Sequence, residues 1–221
     1  NIMLNELDKE LEHRGHPFVR YADDAMIFCK SKRAAMRVKA TITRFIESKL
    51  HLKVNKEKTV VSYVRGVKYL GYSFYVQKGK CKLTVHPKSK MKMKARLKLL
   101  TSRSNGWGYT KRKQKLKEYI RGWIGYYHLA EMQHFLVKID EWLRRRIRMC
   151  IWKAWKNVKT KVTNLIKCGI NKSKAYEWGN TRKGYWRIAD SFILHRTITK
   201  EKLRKAGYVT LMGEYLEWHP K

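Results

Sequence analysis

The chain has 221 residues, 43% of them hydrophobic, enough to bury one large core or two modest ones. Its 52 Lys and Arg against 17 Asp and Glu give a formal charge of +35, and self-repulsion on that scale points to a polyanionic partner, nucleic acid foremost, because neutralised phosphates release condensed counterions. No apolar run approaches the ~20 residues that cross a bilayer, and a basic membrane-surface helix would lack the aromatic interleaving present here.

In chain order, residues 2–12 carry Leu4, Leu7 and Leu11 at helical spacing, and Gly15 stands where that helix should stop. Two β-like runs follow, 18–22 and 25–29, separated by Asp23-Asp24, and predict a hairpin. Asp-Asp is a poorer turn than Asn-Gly, which suggests another use for the carboxylates. Ser31 is positioned to cap the next helix, whose buried face is Ala35, Val38, Ile42 and Phe45. A short connection over 52–58 leads to β-like runs at 60–64, 67–76 and 81–86, and Pro87 closes this part. Helix, hairpin, helix and strands make an α+β layer.

Beyond Pro87 the pattern turns helical. A basic helix is predicted over 88–102, a glycine-rich loop over 104–110, and a helix over 111–128 with Leu116, Tyr119, Ile120, Trp123, Ile124 and Tyr127 on one stripe. Residues 131–156 repeat the pattern with Phe135, Ile139, Trp142, Leu143, Ile147, Cys150 and Ile151; shorter helices are expected near 159–167, 172–178 and 199–206. Two domains are therefore expected, 1–87 and 88–221. Their charges differ: residues 1–87 hold 18 basic and 8 acidic side chains, residues 88–221 hold 34 and 9 with all eight tryptophans. The second part is the expected grip on a phosphate backbone. Cys29, Cys81, Cys150 and Cys168 form no C-x-x-C pair, so reduced, buried thiols are expected rather than a zinc site. No signal or transit peptide is visible, and a chain that opens on Asn1 in a helical pattern reads as a piece of a longer protein.

Tyr21-Ala22-Asp23-Asp24 is the most chemically loaded stretch. Adjacent carboxylates at a strand turn repel each other unless a cation offsets them. Mg²⁺ prefers such oxygens and keeps room for substrate phosphates, and two such ions can serve phosphoryl transfer. A solvated Asp-Asp turn is the other reading of the same residues. In the second part Arg144, Arg145, Arg146 and Arg148 form one basic cluster, Lys111, Arg112, Lys113, Lys115 and Lys117 another, and Lys88, Lys90, Lys92, Lys94, Arg96 and Lys98 a third. Any one run could be a solvated helix face, but three with scant acid between them destabilise their own helices unless phosphates sit alongside. Trp123, Tyr127 and Trp142 lie on apolar stripes and are expected in the core. Trp107 and Tyr109, in the glycine-rich loop, are the candidates for stacking on unpaired bases. His86, His128 and His134 lack metal-ligand spacing and are expected to be structural.

Phe18-Val-Arg-Tyr-Ala-Asp-Asp-Ala-Met-Ile-Phe resembles the polymerase signature of group II intron reverse transcriptases. Around it, Asn1-Ile-Met-Leu-Asn-Glu-Leu-Asp is similar to the helix after the nucleotide-pocket motif, Leu52-Lys-Val-Asn-Lys-Glu-Lys-Thr to the next family motif, and Val67-Lys-Tyr-Leu-Gly-Tyr-Ser-Phe to the primer-grip hairpin. Farther on, Arg121-Gly-Trp-Ile-Gly-Tyr-Tyr, Trp142-Leu-Arg-Arg-Arg-Ile-Arg, Trp152-Lys-Ala-Trp-Lys and Asn180-Thr-Arg-Lys-Gly-Tyr-Trp-Arg-Ile-Ala resemble the maturase-specific thumb region.

The resemblance implies part of a right-hand palm over 1–87, built from antiparallel hairpins and helices, followed by an α-helical thumb/maturase bundle over 88–221. It implies RNA-directed DNA polymerase activity (Mg²⁺-dependent nucleotidyl transfer) and intron RNA binding for splicing and retrohoming. Asp23 and Asp24 would hold Mg²⁺, Lys58 would protonate leaving pyrophosphate, and Leu70 and Gly71 would lie in the primer grip. Lys111, Arg112, Lys113, Arg144, Arg145, Arg146 and Arg148 would bind nucleic acid. The implied partners are group II intron RNA, an RNA template with its DNA primer, and dNTP, in the bacterial cytoplasm. The family's first palm aspartate and its fingers are expected upstream of Asn1, so this stretch alone is expected to be inactive, and no cysteine/histidine endonuclease domain is expected after the thumb. A non-catalytic RNA-binding splicing cofactor is the alternative.

Overall fold

The computed structural model describes residues 2–220, which separate into one compact unit ending at His86 and another beginning at Pro87. In the first unit α1 (Ile2–His13) precedes a hairpin of β1 (Phe18–Tyr21) and β2 (Asp24–Ile27), and α2 (Lys32–Ser48) follows. Leu7 and Leu11 of α1 meet Ile42 of α2 and Leu50 in a small core, with Val38, Phe45, Phe18 and Ile27 packed around it. Burial of this apolar stripe fixes both helices against the hairpin. The helix termini follow local chemistry. Gly15, at φ 65°, donates to Glu12 O at 2.9 Å while His16 donates to Leu11 O at 2.9 Å, the paired bonds that satisfy the last carbonyls of α1. Ser31 Oγ accepts from the Ala34 N–H at 3.2 Å and starts α2.

A second sheet orders β3 (Lys68–Tyr69), β4 (Tyr72–Gln77) and β5 (Lys80–Val85) antiparallel, with Tyr69 opposite Tyr72 and Gln77 opposite Lys80. Both connections are two-residue turns with positive φ at each position, Leu70-Gly71 at 48° and 81° and Lys78-Gly79 at 49° and 74°, the geometry that matches strand twist. The run 67–76 is thus broken into two strands at Leu70-Gly71. The run 60–64 forms no strand: it has no ladder partner, Val60 and Tyr63 stand 72% and 80% exposed, and the chain closes into a 3₁₀ turn at Val64–Gly66. β-Branched side chains favour an extended backbone only where a neighbouring strand gives them something to pack on.

The second unit is helical: α3 (Pro87–Leu100), α4 (Tyr109–Tyr127), α5 (Gln133–Ala154), α6 (Val158–Lys167), α7 (Lys172–Gly179), α8 (Tyr185–Ile188), α9 (Phe192–Thr197), α10 (Lys200–Lys205) and α11 (Leu211–Glu217). Pro87 opens α3 rather than closing the strand before it; at the first helical position its missing N–H is no loss. Met93 and Leu97 of α3, Leu116, Ile120 and Ile124 of α4, and Leu136, Leu143, Ile147 and Trp152 of α5 form the buried faces. Trp123, Tyr127 and Trp142, predicted for the core, are only half-buried. Gly179 lets α7 lie close on α6: a Cβ there would come within 2.8 Å of Val162 Cγ2. No helix among the described residues is long and apolar enough to cross a membrane.

Basic side chains close the C-terminal ends of several of these helices. Arg146 donates to Lys98 O and Thr101 O, both at 3.0 Å, at the end of α3. Arg148 donates to Ile198 O at 2.9 Å past α9, and Lys113 to Ala206 O at 2.8 Å past α10. Lys202 reaches Cys168 O at 2.7 Å and Thr197 O at 3.1 Å. Final-turn carbonyls lack intrahelical donors and carry the negative end of the helix dipole, so a cation satisfies both needs at once.

Candidate functional site

The acidic pair sits at the tip of the β1–β2 hairpin. Tyr21 pairs with Asp24, so the turn residues are Ala22 and Asp23, and Asp24 is the first residue of β2 rather than part of the turn. Ala22 has φ 53°, a left-handed value that costs an L-residue about 1–2 kcal/mol. Arg20 braces this turn. It donates to Ala22 O at 2.8 Å and to Asp8 Oδ1 at 2.7 Å, and its second guanidinium nitrogen pairs with Asp8 Oδ2. Hydrogen bonding to Asp8, outweighing partial desolvation, raises the guanidinium pKa further. Asp23 and Asp24 are exposed and form no salt bridge with any described residue. Tyr69 of β3 brings its hydroxyl to 3.5 Å from Asp24 O, the outer limit of a hydrogen bond, so the β3–β4 turn at Leu70-Gly71 begins one residue away from a contact with the acidic hairpin. Desolvation, then the neighbouring Asp24 charge, raises the Tyr69 phenol pKa.

Lys58 is held by a separate device. Asn55 Oδ1 accepts from the Glu57 and Lys58 N–H groups at 3.1 Å each, while Asn55 O accepts from Thr59 N–H at 3.0 Å and Thr59 Oγ1 at 2.8 Å. This side-chain-stabilised turn leaves Lys58 exposed, and Lys39 of α2 ties it down through Thr59 O. No hydrogen bond or ion pair joins Lys58 to Asp23 or Asp24 among the described residues. Asn55 and Arg20, which hold these groups in position, are not singled out by the sequence; an Asn followed by three polar residues is the only local signal for the first.

The basic clusters of the second unit divide sharply. Arg112 is 4% exposed and Arg148 6% exposed. Arg112 donates to Asn105 Oδ1 at 3.0 Å, and Arg148, whose pKa is lowered by desolvation, donates to Ile198 O. These two are interior groups, which corrects the expectation that they face phosphates. Arg146 is half-buried, bonded to Thr101 Oγ1 at 2.6 Å, with its guanidinium 5.3 Å from the Trp142 ring. Arg145 lies 3.9 Å from the Trp186 ring and pairs with Asp190 at 2.9 Å. Arg144 makes no hydrogen bond or ion pair with a described residue, and Lys111 is exposed with its ammonium 5.6 Å from the Trp107 ring. Of the loop aromatics, Trp107 is half-buried and Tyr109 exposed. The thiols also differ from expectation: only Cys150 is buried, Cys29 and Cys168 are half-buried and Cys81 is exposed at the start of β5, where side chains alternate faces.

Residues 1–74 match the family described as reverse transcriptase (RNA-dependent DNA polymerase), and residues 90–169 match the group II intron maturase-specific domain, in that order along one chain. The chain belongs to the group II intron reverse transcriptase/maturases. No curated protein matches it as a relative. The pair of matches supports RNA-directed DNA polymerase and maturase function, and with it binding of intron RNA and of a nucleic-acid template. The reverse transcriptase family generally uses a divalent metal. Among the described residues no group of three or more His, Cys, Asp or Glu could hold a metal, and the candidate donors for such an ion in a reverse transcriptase/maturase are the exposed carboxylates of Asp23 and Asp24. Two exposed, unpaired carboxylates fit Mg²⁺, which takes one or two carboxylates and completes its shell with water and phosphate oxygens. They do not make a closed protein cage.

Proposed function

We propose that the first unit of this chain is palm and the second thumb of an RNA-directed DNA polymerase, and that Asp23 and Asp24 hold Mg²⁺ against the triphosphate of an incoming dNTP. The observation that carries this reading is a braced hairpin tip bearing two exposed carboxylates, with no cation paired to them among the described residues. When bound, the metal supplies charge neutralisation at the phosphates and a more nucleophilic primer hydroxyl. The chain's own residues do the rest. Asp8 and Arg20 hold the turn, so the acids need no rearrangement to receive the ion. Lys58, on the turn braced by Asn55, donates a proton to departing pyrophosphate. Leu70 and Gly71, in their left-handed turn, approach the primer backbone closely, and a positive φ at Leu70 is the kind of strain that functional turns hold. Lys111, Arg144 and the exposed lysines of α3 grip the intron RNA and the template for splicing and retrohoming.

The test uses the intact polypeptide with an RNA template, a DNA primer and Mg²⁺. Replacing Asp23 and Asp24 by Asn should lower primer extension by about a thousandfold or more. Undiminished extension would end the polymerase reading. The excess of basic side chains over residues 88–221, 34 against 9 acidic, favours a second reading, an RNA-binding splicing cofactor. Under it the double variant splices intron RNA at the parent rate, and the parent protein extends no primer.

A further inference from the structure

The segment around α8 leaves its largest side chains outside. Ile188 and Ala189 are fully buried, Ala189 in a cluster with Met149 and Cys150 of α5, and dock this segment on the bundle. Tyr185 and Trp186 stay 37% and 39% exposed, whereas Trp152, Trp155 and Trp178 of the same unit are buried. A single exposed aromatic needs no explanation. Here two neighbours are exposed, and each carries a guanidinium on its ring: Arg103 lies 5.0 Å from the centre of Tyr185, and Arg145 3.9 Å from that of Trp186.

Both stacks are anchored on α5. Arg145 donates to Trp186 O at 3.0 Å and pairs with Asp190 at 2.9 Å, which locks guanidinium and indole together. Lys153, eight residues farther along α5 and a rise of roughly 12 Å, donates to Arg103 O at 2.8 Å and holds the loop that presents Arg103. A guanidinium covers one face of the indole, and the exposure that remains is surface for a second flat group. Around the pair, Arg103, Arg182, Lys183 and Arg187 are exposed and form no ion pair with a described residue. Asp190, the one acid within 180–190, is already taken by Arg145. An apolar protein surface would cover the rings and leave these cations unmet, whereas a base with its phosphates meets both.

We propose that Tyr185 and Trp186 form a stacking platform for unpaired bases of single-stranded RNA, with the flanking phosphates on Arg103, Arg182, Lys183 and Arg187. Arg145 is a positioning residue that keeps the indole in place. The proposal rests on the reading of the chain as an RNA-binding maturase and adds a base contact to its phosphate grip, in a stretch that lies beyond the matched maturase-specific domain over 90–169. Bases inside a duplex are stacked on one another, so only unpaired nucleotides offer a free ring. The platform would therefore select single strands over helices with little regard to sequence, because every base has a π-face.

The test uses the full chain and three labelled probes titrated over a series of salt concentrations: a short unstructured RNA, the same RNA annealed to its complement, and the matching single-stranded DNA. Trp186→Ala should weaken binding of the single-stranded RNA by about five- to a hundredfold, the range for one lost stack, with the salt slope and the duplex affinity unchanged. Trp186→Phe keeps a π-face and should bind within about threefold of the parent, whereas Trp186→Leu, apolar without that face, should lose as much as Trp186→Ala. Arg182→Ala with Lys183→Ala should instead make the slope of log K against log salt shallower by roughly 0.7 per lost phosphate contact. Melting curves accompany each variant, and the Phe-to-Leu comparison holds even where Trp186→Ala melts lower. Parent-level RNA affinity in a Tyr185→Ala, Trp186→Ala double variant would overturn the proposal and leave the patch to a protein partner. Equal binding by the Phe and Leu variants, equal loss on duplex and single strand, or a loss confined to DNA would overturn it too. If the parent still binds RNA in those cases, only the platform falls. If the parent binds no RNA, the maturase reading falls with it.

Discussion

Arg148 and Arg144 lie four residues apart on α5 and should fail in different ways when altered. Arg148 is buried, and its Nε donates to Ile198 O at 2.9 Å. Arg148→Met keeps the length and the apolar stem but removes a charge-assisted hydrogen bond at the end of α9, a loss of roughly 1.5–3 kcal/mol. Relief of the desolvation that lowers the Arg148 pKa offsets part of that, leaving about 2 kcal/mol. For a chain of this size the melting temperature should fall by roughly 4–8 °C. The affinity of the folded fraction for RNA, and its salt dependence, should not change. Arg144→Ala should do the reverse: stability within about 0.5 kcal/mol of the parent, weaker RNA binding, and a slope of log K against log salt shallower by roughly 0.7–0.9. Circular dichroism melts and RNA titrations over a series of salt concentrations read both. An Arg148→Met protein that melts like the parent yet loses one unit of salt slope would refute the assignment of Arg148 to the interior. It also follows that reversing all of Arg144–Arg148 to acids measures folding and binding together and separates neither.

Asp140 accepts from the Leu211 and Met212 N–H groups at 2.9 and 3.0 Å. Asp140→Ala should cost roughly 2–4 kcal/mol by orphaning both donors, with Asp140→Asn near half of that in a denaturant titration. Gly179→Ala would set a Cβ 2.8 Å from Val162 Cγ2 and should destabilise the α6–α7 pair by about 1–3 kcal/mol, visible as a lowered melting temperature. The Tyr208 phenol is pushed up to about 12 by burial. A raised folded-state pKa means its contribution is complete below about pH 10 and is lost as pH climbs toward 12, an effect of order 3 kcal/mol. Tyr208→Phe should therefore lose less stability than the parent between those pH values in urea titrations.

The sequence reveals the long elements because their signals are periodic and local. The stripe through Leu116, Ile120 and Ile124 predicts α4, Ser31 predicts the start of α2, and Gly15 the end of α1. It misleads where a residue's fate is decided by a distant partner. Val60–Val64 has strand propensity but no neighbouring strand. The arginines of α5 look alike in sequence, and only the approach of α3, α8 and α9 turns Arg146, Arg145 and Arg148 to structural use, while Arg144 stays unpaired among the described residues. The short helices α8, α9 and α11 span about two turns or fewer, too little for a period to show. At the acidic site the two carboxylates are evident from Tyr-Ala-Asp-Asp, but the register is not. Which residue takes the left-handed position depends on cross-strand pairing, and Ala22 takes it instead of an Asp. Likewise the bracing of the turn by Asp8 links residues 12 apart in sequence, invisible until α1 folds back on β1.

Cations seated on helix-end carbonyls give the second unit an unusual relation to protons. A fold bound together by carboxylate bridges comes apart as those acids neutralise, whereas peptide carbonyls do not titrate in that range. Asp140 even leans the other way: burial raises its pKa, so whatever stability its proton confers is present at low pH and disappears as pH rises through that raised value. Acidification should thus leave Arg146, Arg148, Lys113 and Lys202 on the helix ends they close, so that these contacts outlast the neutralisation of carboxylates.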